Sequence, residues 1–95
     1  MPEMRFEVRW PDGATELCYS PSLVIKDHLA AGGRYALADF LARSRTALTI
    51  ASERVREKYG FPCSRALGQL ARIEAAAARF ATDPNAQVTV LGFDE

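Results

Sequence analysis

MRFEVRWPDGATELCYS, residues 4–20, is the stretch that decides the fold of this 95-residue chain. In its first half, apolar and charged residues alternate, and this period of two predicts a strand with one buried face. The apolar positions are Met4, Phe6, Val8 and Trp10. Pro11 presets φ for a tight turn, and Gly13 can adopt the positive φ that follows it. The stretch therefore predicts a β-hairpin whose second strand is ATELCYS.

The register of this hairpin decides whether Cys18 is buried. A two-residue turn at 12–13 pairs Phe6 with Tyr19 and directs Cys18 outward, whereas a type I turn with a bulge at Gly13 pairs Phe6 with Cys18 and directs it inward. A shift of one residue exchanges the two faces of a strand completely. The proline at the second turn position favours the bulged form, and free cysteine is among the most buried residue types. We predict the bulged register.

Three helical segments and a last strand follow the hairpin. Ser20 as N-cap and Pro21 in the first turn predict a short helix over 21–29. Apolar residues at helical spacing predict a long helix over 36–59, about 36 Å in length, and a second one from Cys63 or Ser64 to residue 81; Tyr59 and Leu67 lie on their apolar stripes. QVTVLGF, residues 87–93, predicts a final strand. The fold class is α+β in the order ββα-αα-β, a single domain over 1–95.

This order predicts a small three-stranded sheet with two long antiparallel helices on one face, and it leaves apolar surface without a cover. The long helix exceeds any strand in length, and the last strand carries apolar residues on both faces. Exposed sheet edges are normally paired or protected. We therefore predict a homodimer that uses the open sheet face or the last strand, with Leu91 and Phe93 as anchors. The alternative is that segment 21–29 folds over that face.

Composition narrows the class of protein. Between Arg34 and Asp83 there are nine basic and five acidic residues, against three basic and seven acidic elsewhere, for a net charge of zero. This uneven charge distribution can orient a partner. Domains that bind nucleic acid are usually strongly basic, and this chain is not, so we do not predict a nucleic-acid partner. The charged N-terminus and the absence of any run of eighteen apolar residues predict a cytoplasmic protein without a membrane segment. Two cysteines and one histidine predict neither metal nor cofactor.

CYSPSLVIKDHL, residues 18–29, concentrates the side chains that are capable of chemistry. Catalysis by Cys18 requires a base within hydrogen-bond reach, and the lone His28 lies ten residues away on another element. We predict that a ligand or partner contacts this stretch, through Cys18, Tyr19, Ser22, Lys26 and His28. The leading interpretation is a noncatalytic protein. The alternative is a small enzyme or small-molecule-binding protein that uses Cys18, Lys26 and His28.

Several segments together resemble a known family. MRFEVRWPDG, CYSPSLVIKDHL, YALADFLARSRTALTIASERVREKYGFPCS and QLARIEAAAARF are similar to small bacterial proteins of the nitrogen-starvation response, whose genes lie in a cluster around a nitrilase. The resemblance covers nearly the whole chain. It implies an accessory or regulatory protein that acts with enzymes of a nitrilase-type pathway for nitrile or cyanide nitrogen, and contact with those enzymes is the partner it suggests. It implies no catalytic residue.

Overall fold

A computed structural model describes residues 3–95 of the chain. Its elements in order are β1 (Met4–Arg9), β2 (Thr15–Ser20), a 3-10 helix (Leu23–Asp27), β3 (Arg34–Ala36), α1 (Leu37–Tyr59), α2 (Ser64–Ala78) and β4 (Gln87–Asp94). The predicted α+β class is confirmed. The prediction of three strands is wrong, because the sheet has four strands in the order β2-β1-β4-β3, and each neighbouring pair is antiparallel.

The hairpin adopts the bulged register that the sequence favoured. Phe6 pairs with Cys18, and the backbone N–H of Trp10 donates to the carbonyl of Ala14 at 2.8 Å. The N–H of Gly13 closes the turn on the Trp10 carbonyl at 2.9 Å, and Gly13 has a φ of +89°, which residues with a side chain rarely adopt. The turn geometry therefore directs Cys18 into the core.

The strand that the sequence did not predict is β3, which directly precedes α1. Its three residues pair with the first half of β4, with Tyr35 opposite Val88. Two further backbone hydrogen bonds extend the pairing, from Gly32 N to the Val90 carbonyl at 2.7 Å and from Val90 N to the Gly33 carbonyl at 2.8 Å. Three residues are too few to show an alternating pattern, so β3 depends on the exposed edge of β4 for its conformation.

A bulge in β4 sets the orientation of its second half. Glu7 pairs with Gly92 and Val8 pairs with Val90, so Leu91 is an extra residue with no partner on β1. Beyond the bulge, Phe93 pairs with Phe6 and packs half-buried against the core. The Phe93 ring therefore lies on the core side of the sheet, whereas Leu91 is half-exposed, and the role of both as dimer anchors stays a prediction.

The two long helices form an antiparallel hairpin. Gly60 ends α1 in the left-handed conformation, with a φ of +87°, and its N–H donates to the Arg56 carbonyl. The antiparallel arrangement appears in contacts between early α1 and late α2, such as the ion pair of Arg45 with Glu74 at 3.0 Å. The helices cover one face of the sheet. Side chains on the opposite face, which we call the open face, include the exposed Glu7, Arg9 and Leu17.

The core lies between the sheet and the helices. The residues predicted to form it all belong to one buried cluster, namely Phe6, Val8, Trp10, Phe40, Leu48, Leu70 and Ile73. The ring of Trp10 meets Phe40 edge-on at 5.7 Å between centroids and stacks on Phe80 at 6.3 Å. The predicted core is confirmed. Aromatic pairs of this geometry add stability beyond the area that they bury.

The helix in the segment between β2 and β3 is shorter than predicted. A 3-10 helix of five residues replaces the α-helix over 21–29, and its N-cap is Ser22 rather than Ser20. Ile25 and Leu29 are buried in the same core cluster as the helices. The alternative in which this segment covers the open face is therefore wrong, since it packs against α1 instead.

Candidate partner-binding surface

Cys18 is inaccessible in the folded protein. Its side chain lies opposite Phe6 with none of its surface exposed. The pKa of the thiol is raised from 9.0 to about 12, mainly by burial and to a smaller extent by the negative charge of Glu16, while the positive charge of Arg72 opposes the rise. A thiol with this pKa stays protonated at neutral pH, so Cys18 has almost none of the thiolate that nucleophilic attack requires.

Ser22 has a structural role in the folded protein. Its hydroxyl oxygen accepts a hydrogen bond from the N–H of Val24 at 3.3 Å, which caps the 3-10 helix. The same oxygen accepts a second hydrogen bond from the Arg54 guanidinium of α1 at 3.2 Å. The buried Ser22 therefore joins the connecting segment to α1.

Lys26 and His28 lie on the outer side of the same segment. The Lys26 ammonium forms an ion pair with Glu95 at 2.7 Å, and both side chains are exposed enough that the pair adds little stability. The backbone carbonyl of His28 accepts a hydrogen bond from Arg43 at 3.0 Å. None of the hydrogen bonds among residues 3–95 joins His28 or Lys26 to Cys18. The geometry therefore offers no support to the alternative of an enzyme built on these three residues.

Tyr19, another predicted site residue, lines a cleft beside α2. The guanidinium carbon of Arg65 lies 4.0 Å from the centroid of its ring, close enough for a cation–π contact. Partial burial raises the pKa of Tyr19 above its ordinary value of 10.0, and Cys63 adds to that rise. The open cleft has a volume of about 310 Å³ and is lined by Tyr19, Ser64, Arg65, Gly68 and Arg72.

Gln69 beneath this cleft holds the edge of the sheet, and the sequence interpretation missed it. Its side-chain carbonyl accepts hydrogen bonds from the backbone N–H of Tyr19 at 3.0 Å and from Arg72 at 3.2 Å. Its amide donates to Glu16 at 3.4 Å. The side chain is 2% exposed. The sequence did contain a sign of this role, namely a glutamine on the apolar stripe of α2, because a buried amide must find hydrogen-bond partners.

The loop between α1 and α2 presents large apolar side chains to solvent. Tyr59 is 55% exposed and Phe61 is 65% exposed. The predicted inward position of Tyr59 is wrong, and Leu67, also predicted inward, is 44% exposed. Tyr59 is the last residue of α1, and Leu67 lies beside the buried stripe of α2 rather than on it; that stripe consists of Ala66, Gln69, Leu70, Ile73 and Ala77. We call Lys58, Tyr59, Phe61, Arg65 and Tyr19 the tip surface.

The described chain has neither a cluster of metal ligands nor a membrane-spanning helix. Among residues 3–95, no three histidine, cysteine, aspartate or glutamate side chains gather closely enough to hold a metal ion. No helix over the same residues is long and apolar enough to cross a membrane. The tip surface is the candidate site because it exposes two large aromatic side chains, Tyr59 and Phe61.

Comparison with protein families adds the biological setting. A family model described as nitrogen starvation-induced protein NitG matches residues 5–93. The chain belongs to this family. Membership of the NitG family confirms the resemblance to nitrogen-starvation proteins. The chain matches no curated protein and no solved structure.

Proposed function

We propose that this member of the NitG family is a noncatalytic accessory protein that binds an enzyme of a nitrilase-type pathway when nitrogen is limiting. The family description supports a role in nitrogen starvation. The class of partner is supported by the resemblance of the sequence segments to proteins of a nitrilase gene cluster. The observation that carries the proposal is the pair of exposed aromatic rings, Tyr59 and Phe61, at the tip of the helical hairpin.

The composition of the tip surface is typical of a protein interface. Tyrosine, phenylalanine and arginine are enriched at the centres of interfaces, where they supply large contact areas. Scattered apolar side chains are normal on a surface, but here two aromatic rings lie two residues apart. Arg65 is already held against Tyr19, and Lys58 lies 5.6 Å from the Tyr59 ring. Side chains that are ordered before binding lose less entropy when a partner arrives.

The first test removes the apolar tip. Phe61→Ser combined with Tyr59→Ser is expected to weaken binding to the partner enzyme by at least about tenfold, because each buried aromatic anchor is commonly worth 2 kcal/mol or more. Purified nitrilase and the other enzymes of its cluster would be immobilised in turn, and the affinity measured by biolayer interferometry.

The matched control for this test is Leu17→Ser, which removes an apolar side chain of 57% exposure from the open face. It is expected to leave the affinity unchanged. Equal losses in both variants would contradict the assignment of the tip surface, and the absence of micromolar binding to every enzyme of the cluster would contradict the proposed function.

We also propose that the chain forms a homodimer through the open sheet face. A shallow depression of about 300 Å³ on this face is lined by Glu7, Leu17, Leu91, Gly92, Phe93 and Asp94. A second copy of the chain fits this depression, because the face carries the positive Arg5 and the negative Glu7 along β1. The apolar Leu17 and Leu91 lie beside them. Two-fold symmetry would place each charge near its opposite on the partner.

Leu91→Asp tests the dimer. We expect the wild-type chain to show a mass above 10.5 kDa that rises with concentration in light scattering, and the variant to remain at the monomer mass. The aspartate would place a charge in the centre of the interface with no partner. Thr15→Asp, at the far end of β2, serves as the control with the same added charge. A wild-type mass near 10.5 kDa at every concentration would contradict the dimer.

A further inference from the structure

A row of polar side chains crosses the open face at the end away from Leu91. Arg9 on β1 and Arg34 on β3 are both in register with Thr89 on β4, which lies between them. All three point away from the core, because their neighbours along each strand face it; those neighbours are Val8, Trp10, Tyr35, Val88 and Val90. The strands β1 and β3 lie two spacings apart, about 10 Å. We call these three residues the arginine row.

Both guanidinium groups of this row lack a partner within residues 3–95. Neither Arg9 nor Arg34 takes part in an ion pair or a side-chain hydrogen bond there, whereas other basic residues do, including Arg43, Arg45, Arg56, Arg65 and Arg79. The Thr89 hydroxyl and the Gln87 amide, on the same face of β4, also make no side-chain hydrogen bond in the described chain. Several hydrogen-bond donors therefore lie together on this part of the open face, and none of them has an acceptor within the described chain.

These donors surround a cleft of about 290 Å³. Its walls are formed by the hairpin turn, with Pro11 and Gly13, and by the loop after α2, with Asn85 and Ala86. Three strands carry the donors and two loops form the walls, so the site is supported from several directions. Ligand sites built on strands hold their geometry better than sites built on loops alone.

Two acidic residues lie close to the arginine row. Asp83 lines the cleft, but its carboxylate accepts a hydrogen bond from the backbone N–H of Asn85 at 2.9 Å and forms no ion pair with a described residue. Glu7 is on the same face of β1, two residues from Arg9, and its neighbours across the sheet are Leu17 and Gly92. Both acids leave the two guanidinium groups available.

We propose that the arginine row binds a divalent oxyanion of the phosphate class, either free phosphate or a phosphate ester. A guanidinium presents paired N–H donors, and two of them on opposite sides can each engage different oxygens of one tetrahedral dianion. The Thr89 hydroxyl lies between them and can donate to a third oxygen. A single carboxylate would pair with only one of the two guanidinium groups and would leave the other without a partner. The site uses none of the residues of the tip surface and none that line the depression around Leu91, so it is independent of the proposed partner binding and uses a different region of the open face from the proposed dimer contact.

Titration of the wild-type chain with inorganic phosphate tests the proposal. At constant ionic strength, NMR is expected to show saturable shifts of backbone amides around Arg9, Arg34 and Thr89. Arg34→Gln is expected to weaken binding about tenfold or more, because hydrogen bonds to charged groups are the strong ones. Asp83→Asn is expected to tighten binding, because it removes a negative charge from the cleft.

Arg5→Gln is the matched control, since it removes the same charge from the same face of β1 without touching the cleft. It is expected to leave the phosphate affinity within about twofold. Three results would overturn the proposal: shifts that sodium chloride alone reproduces, equal losses in Arg5→Gln and Arg34→Gln, or tighter binding of succinate than of phosphate. Succinate has the same charge without the tetrahedral geometry, so it separates the phosphate class from dicarboxylates.

Discussion

Replacing Phe40 by alanine is expected to lower the free energy of unfolding by about 3–5 kcal/mol. Phe40 is completely buried on α1 and meets Trp10 edge-on at 5.7 Å, in the middle of the core. Its loss removes the buried ring and leaves a cavity that the packed surroundings fill incompletely. Small domains have only about 5–15 kcal/mol of stability in total, so the effect is a large part of it. Urea unfolding followed by circular dichroism measures it.

Phe61→Ala is the matched control, because it removes the same ring from a position that is 65% exposed. It is expected to change the free energy of unfolding by less than about 0.5 kcal/mol. Leu48→Ala, at another fully buried position of α1, is expected to cost about 2–5 kcal/mol. A cost below about 0.5 kcal/mol for Phe40→Ala would mean that the inner face of α1 is assigned wrongly.

In the native protein, the thiol of Cys18 is expected to react about tenfold or more slower than an ordinary cysteine, because the loss of thiolate is only partly offset by the higher nucleophilicity of a thiolate with a raised pKa. Its pKa is raised from 9.0 to about 12, which lowers the thiolate fraction near pH 8 by about a factor of ten per unit. Burial adds a steric barrier. Ellman's reagent should therefore titrate one thiol per native chain, the partly exposed Cys63, and both thiols after denaturation.

The variant Cys63→Ser should show no fast thiol, and Cys18→Ser should retain one.

The raised pKa of Cys18 also has a consequence for stability. Above pH 9 the unfolded chain releases this proton while the folded chain keeps it, so stability is lost as pH rises from 9 toward 12, by at most about 1.4 kcal/mol per pH unit. In the Cys63→Ser background, adding Cys18→Ala should reduce that slope. Two native thiols of similar reactivity would contradict the burial of Cys18.

The proposed surfaces lie on different parts of the molecule. The tip surface is at the end of the helical hairpin, whereas the depression around Leu91 and the arginine row occupy two regions of the open face. Phe61→Ser, Leu91→Asp and Arg34→Gln each change one of them. Their effects on partner binding, dimerisation and phosphate binding are therefore expected to separate, because distant sites without shared contacts are usually additive.

Local patterns in the sequence determined most of the fold. Alternation over residues 4–10 placed Phe6, Val8 and Trp10 in the core, and the Pro11–Gly13 turn favoured the register that buries Cys18. Helical periodicity located α1 and α2 to within a few residues, and Gly60 marked the end of α1. These features depend on residues that are close in sequence, so their physical causes can be read from a short window.

Tertiary structure alone decided the features that depend on distant partners. The strand β3 exists because β4 offers it an edge, and the bulge at Leu91 returns Phe93 to the core. Tyr59 continues the apolar stripe of α1 but lies beyond the sheet, so it is exposed. The arginine row joins residues 9, 34 and 89, which only the strand order brings side by side. Pairing between strands far apart in the chain leaves no local pattern, and the candidate sites arise from that pairing.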